Sequence, residues 1–351
     1  MSGGVDSSVV AILLKRLGYQ VQGVTLQLAR SSCGLGACCT GPDLDDVRIM
    51  CSQEGFKHHT VAAYDDFKEK VINYTVNSYA IGLTPSPCVW CNSTVRFEYL
   101  SKKAQELGCD LFVTGHYAFI EEKSSEYSLL SALDRNKDQS YFLSMLPKTV
   151  LANVRFPLGN MTKPTVRKIA KKLGLSVASK RDSQDLCFVK DNYWETLNNI
   201  NPNIFQPGFI KNIKGDVIGD HEGIAGYTIG QRKGIGVVRN SSTKASYVID
   251  INPGKNEIII GDKSHTAAVG LLLERVNLIE KISEGMFVKA KVRARSGTYW
   301  ARLWNNGSLI EFCMPIFDAA KGQICVIYDQ RRVIGAGMIK HIIKKEIGLL
   351  V

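Results

Sequence analysis

The stretch Ser2-Gly3-Gly4-Val5-Asp6-Ser7-Ser8 decides the fold, and it runs directly into the apolar segment 9–14. Its two glycines let the backbone close on a ligand without a Cβ in the way. We expect the two serines to cap the following helix, whose N–H groups and positive dipole end then face the loop. Such a helix start binds anions and suits phosphate, although an ordinary glycine-rich turn would look similar. No Gly-Lys-Ser or Gly-Lys-Thr closes the loop, so it is not a Walker A loop.

Strand-like and helix-like segments alternate from this loop to about residue 195. The pattern predicts helices over 7–17, 43–55, 65–81 and 93–107, a short helix within 136–143 and another starting at 162–164, with strands over 21–28, 59–62 and 110–114. This alternation of strands and helices predicts an α/β fold with a doubly wound parallel sheet. The loop at residues 2–8 is expected to lie in the crevice at the carboxyl ends of its strands. Because only Met1 precedes the loop, we expect the true start and the first strand to lie upstream.

The pattern changes after about residue 196, where helical periodicity gives way to short strands with Gly and Asn turns. Asn305-Asn306-Gly307 is a hairpin signal in this part of the chain. We therefore predict three domains: a catalytic domain over 1–195, a small central β domain over 196–264, and a six-stranded β-barrel over 265–351.

The charge balance indicates a polyanionic partner. With 44 basic against 33 acidic side chains, the chain has a net charge of +11, which favours nucleic acid over other partners. Lys289, Lys291, Arg293 and Arg295 alternate with small apolar residues, so a strand would place all four cations on one face. We predict that this face meets RNA, with a plain solvated face as the alternative.

The ten cysteines are expected to be thiols rather than disulfides. The chain has no apolar run of about 18 residues, which excludes a membrane span, and we expect a reducing, cytoplasmic location. Four cysteines stand in apolar patterns and are predicted to lie in the core: Cys51, Cys109, Cys313 and Cys325. Cys33, Cys38 and Cys39 are predicted to form a flexible loop near the site, and a zinc site is the less favoured alternative because no fourth ligand is evident.

Several motifs in chain order carry a family resemblance. Ser-Gly-Gly-x-Asp-Ser resembles the PP-loop of ATP pyrophosphatases. One branch of that superfamily, the tRNA-specific 2-thiouridylases, is matched by five further stretches: Cys91-Asn92 after Thr84-Pro85-Ser86-Pro87, Thr114-Gly115-His116-Tyr117, Asp138-Gln139-Ser140-Tyr141-Phe142, Asp182-Ser183 leading to Cys187-Phe188, and Tyr227-Thr228-Ile229-Gly230-Gln231-Arg232-Lys233-Gly234-Ile235-Gly236. The resemblance covers nearly the whole chain.

The resemblance implies a tRNA-uridine 2-sulfurtransferase. ATP, with Mg²⁺, would adenylate the C2 oxygen of the wobble uridine and release pyrophosphate. Sulfur would then attack C2 and displace AMP, which leaves 2-thiouridine. The implied partners are tRNA and a sulfur carrier protein that donates a persulfide. Adenylation makes the uridine oxygen a leaving group, and a cysteine thiolate or persulfide supplies the nucleophile.

The resemblance also assigns roles to individual residues. Cys91 matches the family's nucleophile and Cys187 its persulfide-bearing cysteine. The implied ATP-binding residues are Ser2, Gly3, Gly4, Val5, Asp6, Ser7, Leu26 and Gly115. The implied tRNA-binding residues are Ser86, Pro87, Cys88, His116, Lys137, Asp138, Gln139, Arg295, Ser296 and Gln323. For His116, the plainer interpretation is a structural histidine at the end of a strand, whose ring is hydrogen-bonded to the backbone.

Cys88 departs from the acidic residue that is common three positions before the family's nucleophile. Two interpretations of the sulfur chemistry therefore remain. In a relay, Cys187 carries a persulfide, no metal is needed, and Cys91 and Cys187 end as a disulfide. In the alternative, Cys88, Cys91 and Cys187 hold a 4Fe–4S cluster with one open iron. We favour the relay, because it needs only Cys91 and Cys187.

Two other functions are less favoured. A PP-loop ligase that passes the adenylate to an amine is disfavoured, since nitrogen transfer has no use for paired thiols. An RNA-binding protein with an inactive ATP site is disfavoured by the intact loop, although the absence of a preceding strand keeps it open.

Overall fold

The computed structural model describes residues 1–28, 41–180, 186–189, 192–236 and 246–344. The chain forms two compact units. The first comprises Met1–Val71, Cys88–Asn192 and Arg331–Val333, and the second comprises Ile72–Pro87, Tyr193–Gln330 and Ile334–Val351. The cysteine cluster of Cys33, Cys38 and Cys39 and the Asp182-Ser183 motif lie outside the described residues.

The helices follow the predicted order along the chain. They are α1 (Val5–Arg16), α2 (Gly41–Glu54), α3 (Tyr64–Phe67), α4 (Tyr74–Ala80), α5 (Pro87–Cys91), α6 (Phe97–Glu106), α7 (Ser140–Leu143), α8 (Lys148–Asn153), α9 (Lys163–Lys172) and α10 (Tyr193–Ile200). Two π-helical segments, Lys68–Asn73 and Asn92–Arg96, join α3 to α4 and α5 to α6. No helix within the described ranges is long and apolar enough to cross a bilayer.

Strands dominate after residue 207. The strands are β1 (Gly23–Gln27), β2 (His58–Ala62), β3 (Phe112–Val113), β4 (Ala118–Lys123), β5 (Glu126–Ser131), β6 (Val154–Arg155), β7 (Gly208–Lys211), β8 (Val217–His221), β9 (Tyr247–Asn252), β10 (Glu257–Gly261), β11 (Ala268–Leu278), β12 (Phe287–Lys291), β13 (Tyr299–Trp304), β14 (Leu309–Ile316), β15 (Ile324–Asp329) and β16 (Arg332–Ile343).

The first unit contains the predicted parallel pairing. β1 pairs with β2 from Gly23↔His58 to Gln27↔Ala62, and β3 pairs with β6. Within the described residues these are two separate two-stranded sheets. Met1 lies against β1, since its amino group donates to the Val24 carbonyl and its carbonyl accepts from Thr25 Oγ1 at 2.8 Å. The loop over residues 2–8, which we call the phosphate loop, thus begins beside β1.

Helix α1 is buried on more than one side, which fixes the loop at its N-terminus. Val9 and Val10 share a core with Val166 and Ala170 of α9. Ile12 instead packs with Val47 of α2 and its neighbours. A helix that is apolar over most of its circumference must be buried in this way, so the apolar run after the loop anchors the loop itself.

The second unit holds a four-stranded sheet and a closed barrel. β8-β7-β10-β9 form the sheet, over a core that includes Ile210, Val248 and Ile258. β11-β14-β13-β12-β15-β16 form the barrel, which the β11–β16 pairing closes. This confirms the predicted six-stranded barrel. The predicted hairpin at Asn305 is also confirmed, because it joins antiparallel β13 and β14 and Asn305 and Asn306 adopt φ of 50° and 53°.

Several local predictions were wrong. The antiparallel β4–β5 hairpin of the first unit was not predicted. The proposed basic strand ends at Lys291, so Arg293 and Arg295 lie in a turn rather than on the strand face. Arg293 Nη2 instead donates to the Ile229 carbonyl at 2.7 Å. The bond to this half-buried carbonyl therefore holds the guanidinium away from the strand face that the sequence alternation predicts.

Two of the four cysteines that were predicted to lie in the core are buried, and two are not. Cys51 and Cys325 are buried as predicted, and burial raises the pKa of the first thiol to about 11 and of the second to about 12. Cys109 is only half-buried, and Cys313 is exposed. Cys313 follows the buried Phe312 on β14, so strand alternation turns its side chain outward.

Candidate active site

The phosphate loop makes a tight turn at Gly3, where the backbone has φ of +67°. A Cβ at this position would lie 2.8 Å from both Cβ and the carbonyl oxygen of Asp43, so the start of α2 leaves room only for glycine. Lys180 Nζ joins the same two elements, since it donates to the Gly3 carbonyl at 3.0 Å and to Asp43 Oδ1 at 2.5 Å. Burial alone would lower the pKa of Lys180, but hydrogen bonds to Asp43 and Asp46 outweigh it and raise that pKa.

The predicted serine cap of α1 is wrong. The N-cap is Gly4, which has no side chain, and its backbone is extended. The hydroxyls of Ser7 and Ser8 donate back to the Gly4 carbonyl at 3.3 and 3.1 Å. Ser7 Oγ also accepts from the Ser2 amide at 3.2 Å. The serines therefore brace the loop, while the positive end of α1 is left facing it.

Asp6 lies in the first turn of α1 and is paired with a buried cation. Lys163 Nζ donates to its two carboxylate oxygens at 2.8 and 2.7 Å. Tyr117 donates its hydroxyl to Asp6 Oδ1 at 2.9 Å. Lys163 Nζ also lies 5.7 Å from the centroid of the Tyr117 ring. These contacts hold the carboxylate and the ammonium in one fixed arrangement.

Gly115 contacts the phosphate loop directly. A Cβ there would lie 2.9 Å from the Ser7 backbone nitrogen and 3.1 Å from Asp6 Cβ. The fold thus brings Gly115 to the predicted ATP-binding residues of the loop, 108 or more positions away in sequence. Leu26, the other residue predicted to contact the nucleotide, is buried near the end of β1.

His116 is held as a neutral imidazole. Its Nδ1 lies 2.8 Å from Thr114 Oγ1, and its ring lies between those of Phe97 and Phe156 at centroid distances of 5.7 and 6.0 Å. Desolvation, with a smaller contribution from the Arg96 charge, lowers the pKa of His116 to about 3. A contact from His116 to tRNA would therefore not be that of a cation.

The Asp138-Gln139 motif makes internal hydrogen bonds. Asp138 Oδ1 accepts from the amides of Ala132 and Ser140 at 2.9 and 3.2 Å, which anchors the start of α7. Gln139 Oε1 accepts from the Tyr117 amide at 2.8 Å, and the Gln139 amide donates to the Tyr117 carbonyl at 2.8 Å. Gln139 thus supports the segment that carries Gly115 and Tyr117, and Lys137 nearby is half-buried.

Cys91 stands at the junction between α5 and the π-helical segment that follows it. It is buried, whereas Cys88, one turn earlier on the same helix, is exposed. Ser93 and Thr94 donate their hydroxyls to carbonyls of the preceding turn, and Asn92 Nδ2 donates to the Phe142 carbonyl at 3.0 Å. The thiol therefore sits on a braced, locally widened helix, and π segments often occur at functional sites.

Cys187 is half-buried, and the following Phe188 packs edge-to-face on Phe67 at 6.2 Å. No disulfide joins the cysteines of the described ranges. No group of three His, Cys, Asp or Glu side chains among the described residues could hold a metal ion.

Gln323 positions the loop before Cys88 within the second unit. Its Nε2 donates to the carbonyls of Thr84 and Pro85 at 3.0 and 3.1 Å. Ser86 and Pro87, which follow, are buried. Arg295 is exposed in the turn after β12, and Ser296 Oγ donates to the Arg293 carbonyl at 3.1 Å. Of these residues, Arg295 presents its side chain most openly to a partner.

The outer face of β12 and β13 carries aromatic and basic side chains. Phe287 and Trp300 are both about half exposed, and their rings stack at 4.7 Å with an interplanar angle of 11°. Lys289 Nζ lies 4.7 Å from the centroid of the Trp300 ring. Stacked aromatics beside cations are typical of surfaces that bind RNA.

Lys163 was not predicted to be a site residue. It lies 157 positions from Asp6, in a Thr-Lys-Pro segment that predicted only the start of a helix. Only 6% of the residue is exposed. The only available signal was the absence of a lysine from the phosphate loop itself, which leaves the cation to be supplied from elsewhere in the fold.

Family models for three consecutive domains match the chain. They are described as the tRNA methyl transferase HUP domain over residues 1–191, the tRNA methyl transferase PRC-barrel domain over 196–262, and the aminomethyltransferase beta-barrel domain over 269–339. This confirms the predicted fold class, a PP-loop domain followed by two β domains.

Curated relatives match the chain over nearly its whole length. The tRNA-specific 2-thiouridylase MnmA of Wolbachia sp. subsp. Drosophila simulans (strain wRi) is 41% identical over 347 residues, which cover 97% of this chain and 93% of the relative. The protein of the same name from Ehrlichia canis (strain Jake) is 41% identical over 345 residues with the same coverage. That from Rhodopseudomonas palustris (strain BisB18) is 38% identical over 365 residues, covering 99% and 90%.

Solved structures show weaker likenesses. The U34-tRNA thiolase NcsA from Methanococcus maripaludis with its 4Fe-4S cluster is 19% identical, covers 58% of this chain and 63% of that chain, and has a TM-score of 0.33. The NMN synthetase from Francisella tularensis is 18% identical, covers 57% and 74%, and has a TM-score of 0.34. Scores this low give neither structure weight for the function of this chain.

Proposed function

Since the chain belongs to the tRNA-specific 2-thiouridylase family, we propose that it converts the wobble uridine of its substrate tRNAs to 2-thiouridine with ATP and a persulfide sulfur. The observation that carries this proposal is the 41% identity over 97% of the chain to a relative of that name. The intact phosphate loop, with Gly115 packed against it, supports it independently. The enzyme is thus a tRNA sulfurtransferase.

The first half-reaction would take place at the phosphate loop. The glycine turn and the start of α1 would bind the pyrophosphate half of ATP, since N–H groups and the helix dipole favour anions there. The close approach of Gly115 leaves no side chain between the loop and the neighbouring strand end. The uridine C2 oxygen attacks the α-phosphorus, pyrophosphate leaves, and the oxygen becomes part of an AMP leaving group. Mg²⁺ would accompany ATP as its usual counterion.

The second half-reaction would use the two cysteines. The terminal sulfur of a Cys187 persulfide attacks C2 and AMP departs, which leaves Cys187 joined to the base through a disulfide. The Cys91 thiolate then attacks Cys187 Sγ, so that the thiocarbonyl is released and a Cys91–Cys187 disulfide forms. A thiol reductant supplies the two electrons that reopen it. We assign no step to an iron–sulfur cluster, because the relay needs only Cys91 and Cys187.

The partners follow from this chemistry. A sulfur carrier protein would deliver the persulfide to Cys187, whose half-buried position leaves it reachable. The tRNA would be bound by the basic and aromatic surface of the barrel together with Ser86, Pro87, Cys88 and the other residues that the family resemblance assigns to it. We place the enzyme in the cytoplasm, whose reducing conditions keep cysteines as thiols.

A single incubation tests the proposal. The purified full-length chain, ATP, Mg²⁺, a persulfide donor and unmodified tRNA are expected to yield AMP, pyrophosphate and 2-thiouridine in equal amounts. Omitting the sulfur donor should leave pyrophosphate release and abolish thiolation. Release of pyrophosphate with an amine-containing product would instead indicate a PP-loop ligase. Binding of tRNA without any turnover of ATP would indicate an RNA-binding protein with an inactive site.

A further inference from the structure

A carboxylate inside the phosphate loop presents an electrostatic problem. Asp6 lies in the first turn of α1, where the helix dipole stabilises its negative charge. The same position would place that charge beside the phosphates of ATP. Like charges a few ångströms apart repel each other appreciably even at the effective dielectric constant of a protein surface. Unless it is neutralised, Asp6 therefore opposes the ligand that the loop is proposed to bind.

Lys163 supplies the neutralising charge from a distant part of the chain. Its Nζ bonds to both oxygens of Asp6 at 2.7 and 2.8 Å, and only 8% of its side chain is exposed, against 29% for Asp6. A lysine is rarely buried to this degree unless it is paired. The carboxylate thus keeps some exposure, whereas the ammonium is almost fully enclosed.

The surrounding structure holds Lys163 in this position. The Lys163 amide donates to Asp134 Oδ2 at 2.9 Å, which fixes the first residue of α9. Val166, one turn later, is fully buried against α1. The Tyr117 ring lies beside Nζ, and its hydroxyl donates to the same carboxylate. The position of the Lys163 ammonium is thus fixed both by the backbone of α9 and by the side chains around it.

We propose that Lys163 is a positioning residue for ATP binding, which neutralises and orients Asp6 so that the loop presents no net negative charge to the triphosphate. The inference rests on the proposed function, since it takes ATP as the ligand of this loop. The alternative is an ion pair that only joins α1 to α9. A buried ion pair often adds little net stability because desolvation offsets the attraction.

Charge variants of the pair distinguish these two roles. The wild type, Lys163→Met, Asp6→Asn and the double variant are titrated with inorganic pyrophosphate in the presence of a chelator, and with ATP and Mg²⁺, by calorimetry. Lys168→Met is the matched control, because it removes one charge from an exposed position of the same helix. Thermal unfolding of each variant is recorded in parallel, and Lys163→Arg tests rescue by a similar cation.

We expect pyrophosphate affinity to follow the charge of the pair. Lys163→Met should bind at least about tenfold more weakly than the wild type, whereas the double variant should lie within about threefold of it. Asp6→Asn should bind more tightly than the double variant, a comparison that remains available where Lys163→Met does not fold. Lys168→Met should leave the affinity unchanged, and Lys163→Arg should restore most of it.

Two results would overturn the inference. One is wild-type affinity in Lys163→Met together with a lowered unfolding temperature, which is the behaviour of a purely structural pair. The other is equal pyrophosphate affinity of Asp6→Asn and the double variant. A wild-type chain that binds neither pyrophosphate nor ATP would instead overturn the proposed function, and the inference with it.

Discussion

The candidate site depends on close contacts between individual residues that are far apart in sequence. Gly115 and the loop residues Asp6 and Ser7 are in contact although the sequence separates them widely. Sequence motifs identified each of these residues, because each stands in a matched stretch. Lys163 could not be found in this way, since its role depends on a contact between α1 and α9 that no local pattern encodes. The serine cap failed for a related reason, because Gly4 already occupies the N-cap position.

The close approach at Gly115 leads to the first prediction. Gly115→Ala should abolish pyrophosphate release while the protein stays folded, because the new Cβ would lie 2.9 Å from the Ser7 backbone nitrogen and push the loop away. Gly254→Ala is the matched control, since its Cβ would meet its nearest neighbour at an ordinary 3.6 Å. Pyrophosphate release and circular dichroism are measured for both variants. Undiminished release by Gly115→Ala would contradict the loop geometry.

The half-buried imidazole of His116 leads to a prediction about pH. Its pKa is lowered to about 3 in the folded protein, from the ordinary 6.5 that the unfolded chain would show. Between these values the unfolded chain binds the extra proton, so His116 contributes stability above pH 6.5 that is lost as the pH falls toward 3. Each group of this kind contributes a slope of up to about 1.4 kcal/mol per pH unit.

His116→Asn isolates this contribution, because its amide can replace Nδ1 in the contact with Thr114 but does not titrate. The free energy of unfolding is measured in denaturant from pH 7 to pH 4. We expect the wild type to lose stability more steeply than His116→Asn over this range, while His58, whose pKa is also lowered, contributes equally to both. Parallel curves for the two proteins would show that His116 is not held neutral.

Several helices and strands begin or end at other residues than predicted, and local side-chain chemistry explains part of the difference. The helix predicted from residue 93 begins at Pro87, since a proline suits the first turn of a helix. Cys88 and Cys91 therefore lie on a helix rather than on a loop. The hydroxyls of Ser93 and Thr94 bond back to carbonyls of the preceding turn, where the helix widens into its π segment. The predicted buried strand at 110–114 is reduced to Phe112–Val113.

Strand β12 carries the prediction about tRNA binding. Lys289 and Lys291 lie on the strand, whereas Arg293 binds the Ile229 carbonyl and is expected to stabilise the fold instead. Replacing Lys289 and Lys291 together by Ala should weaken tRNA binding and reduce the slope of log K against log salt by roughly 0.7–0.9 for each lost phosphate contact. Binding is measured by filter retention at several salt concentrations.

Exposed lysines elsewhere provide the control for charge alone. Lys171→Ala with Lys172→Ala removes the same charge from the end of α9. We expect this pair to change the salt slope less than the β12 pair does. Equal slopes in both double variants would show that β12 contributes only to the general positive field of the molecule, whose net charge is +11.

For the whole molecule, the sequence was sufficient to predict that an α/β part comes first and a β-barrel follows it. Alternating helices and strands predicted the α/β part, and the switch to short strands predicted the closed barrel, because both are periodic signals that repeat over many residues. The β4–β5 hairpin was missed because its turn at Ser124 and Ser125 lacks glycine, although both serines adopt positive φ. The exact domain boundaries stay a prediction.

The cysteines of the whole chain carry the last prediction, which separates the relay from the cluster. The relay needs Cys91 and Cys187 alone, and Cys88 is exposed while Cys91 is buried. We expect anaerobically purified protein to thiolate tRNA from a persulfide donor without iron. Cys91→Ser and Cys187→Ser should release pyrophosphate but form no 2-thiouridine, whereas Cys88→Ala should retain thiolation, as should Cys313→Ala, the control for an exposed thiol on the barrel. About four irons per chain, lost in Cys88→Ala together with activity, would establish the cluster instead, because a third thiolate is required only there.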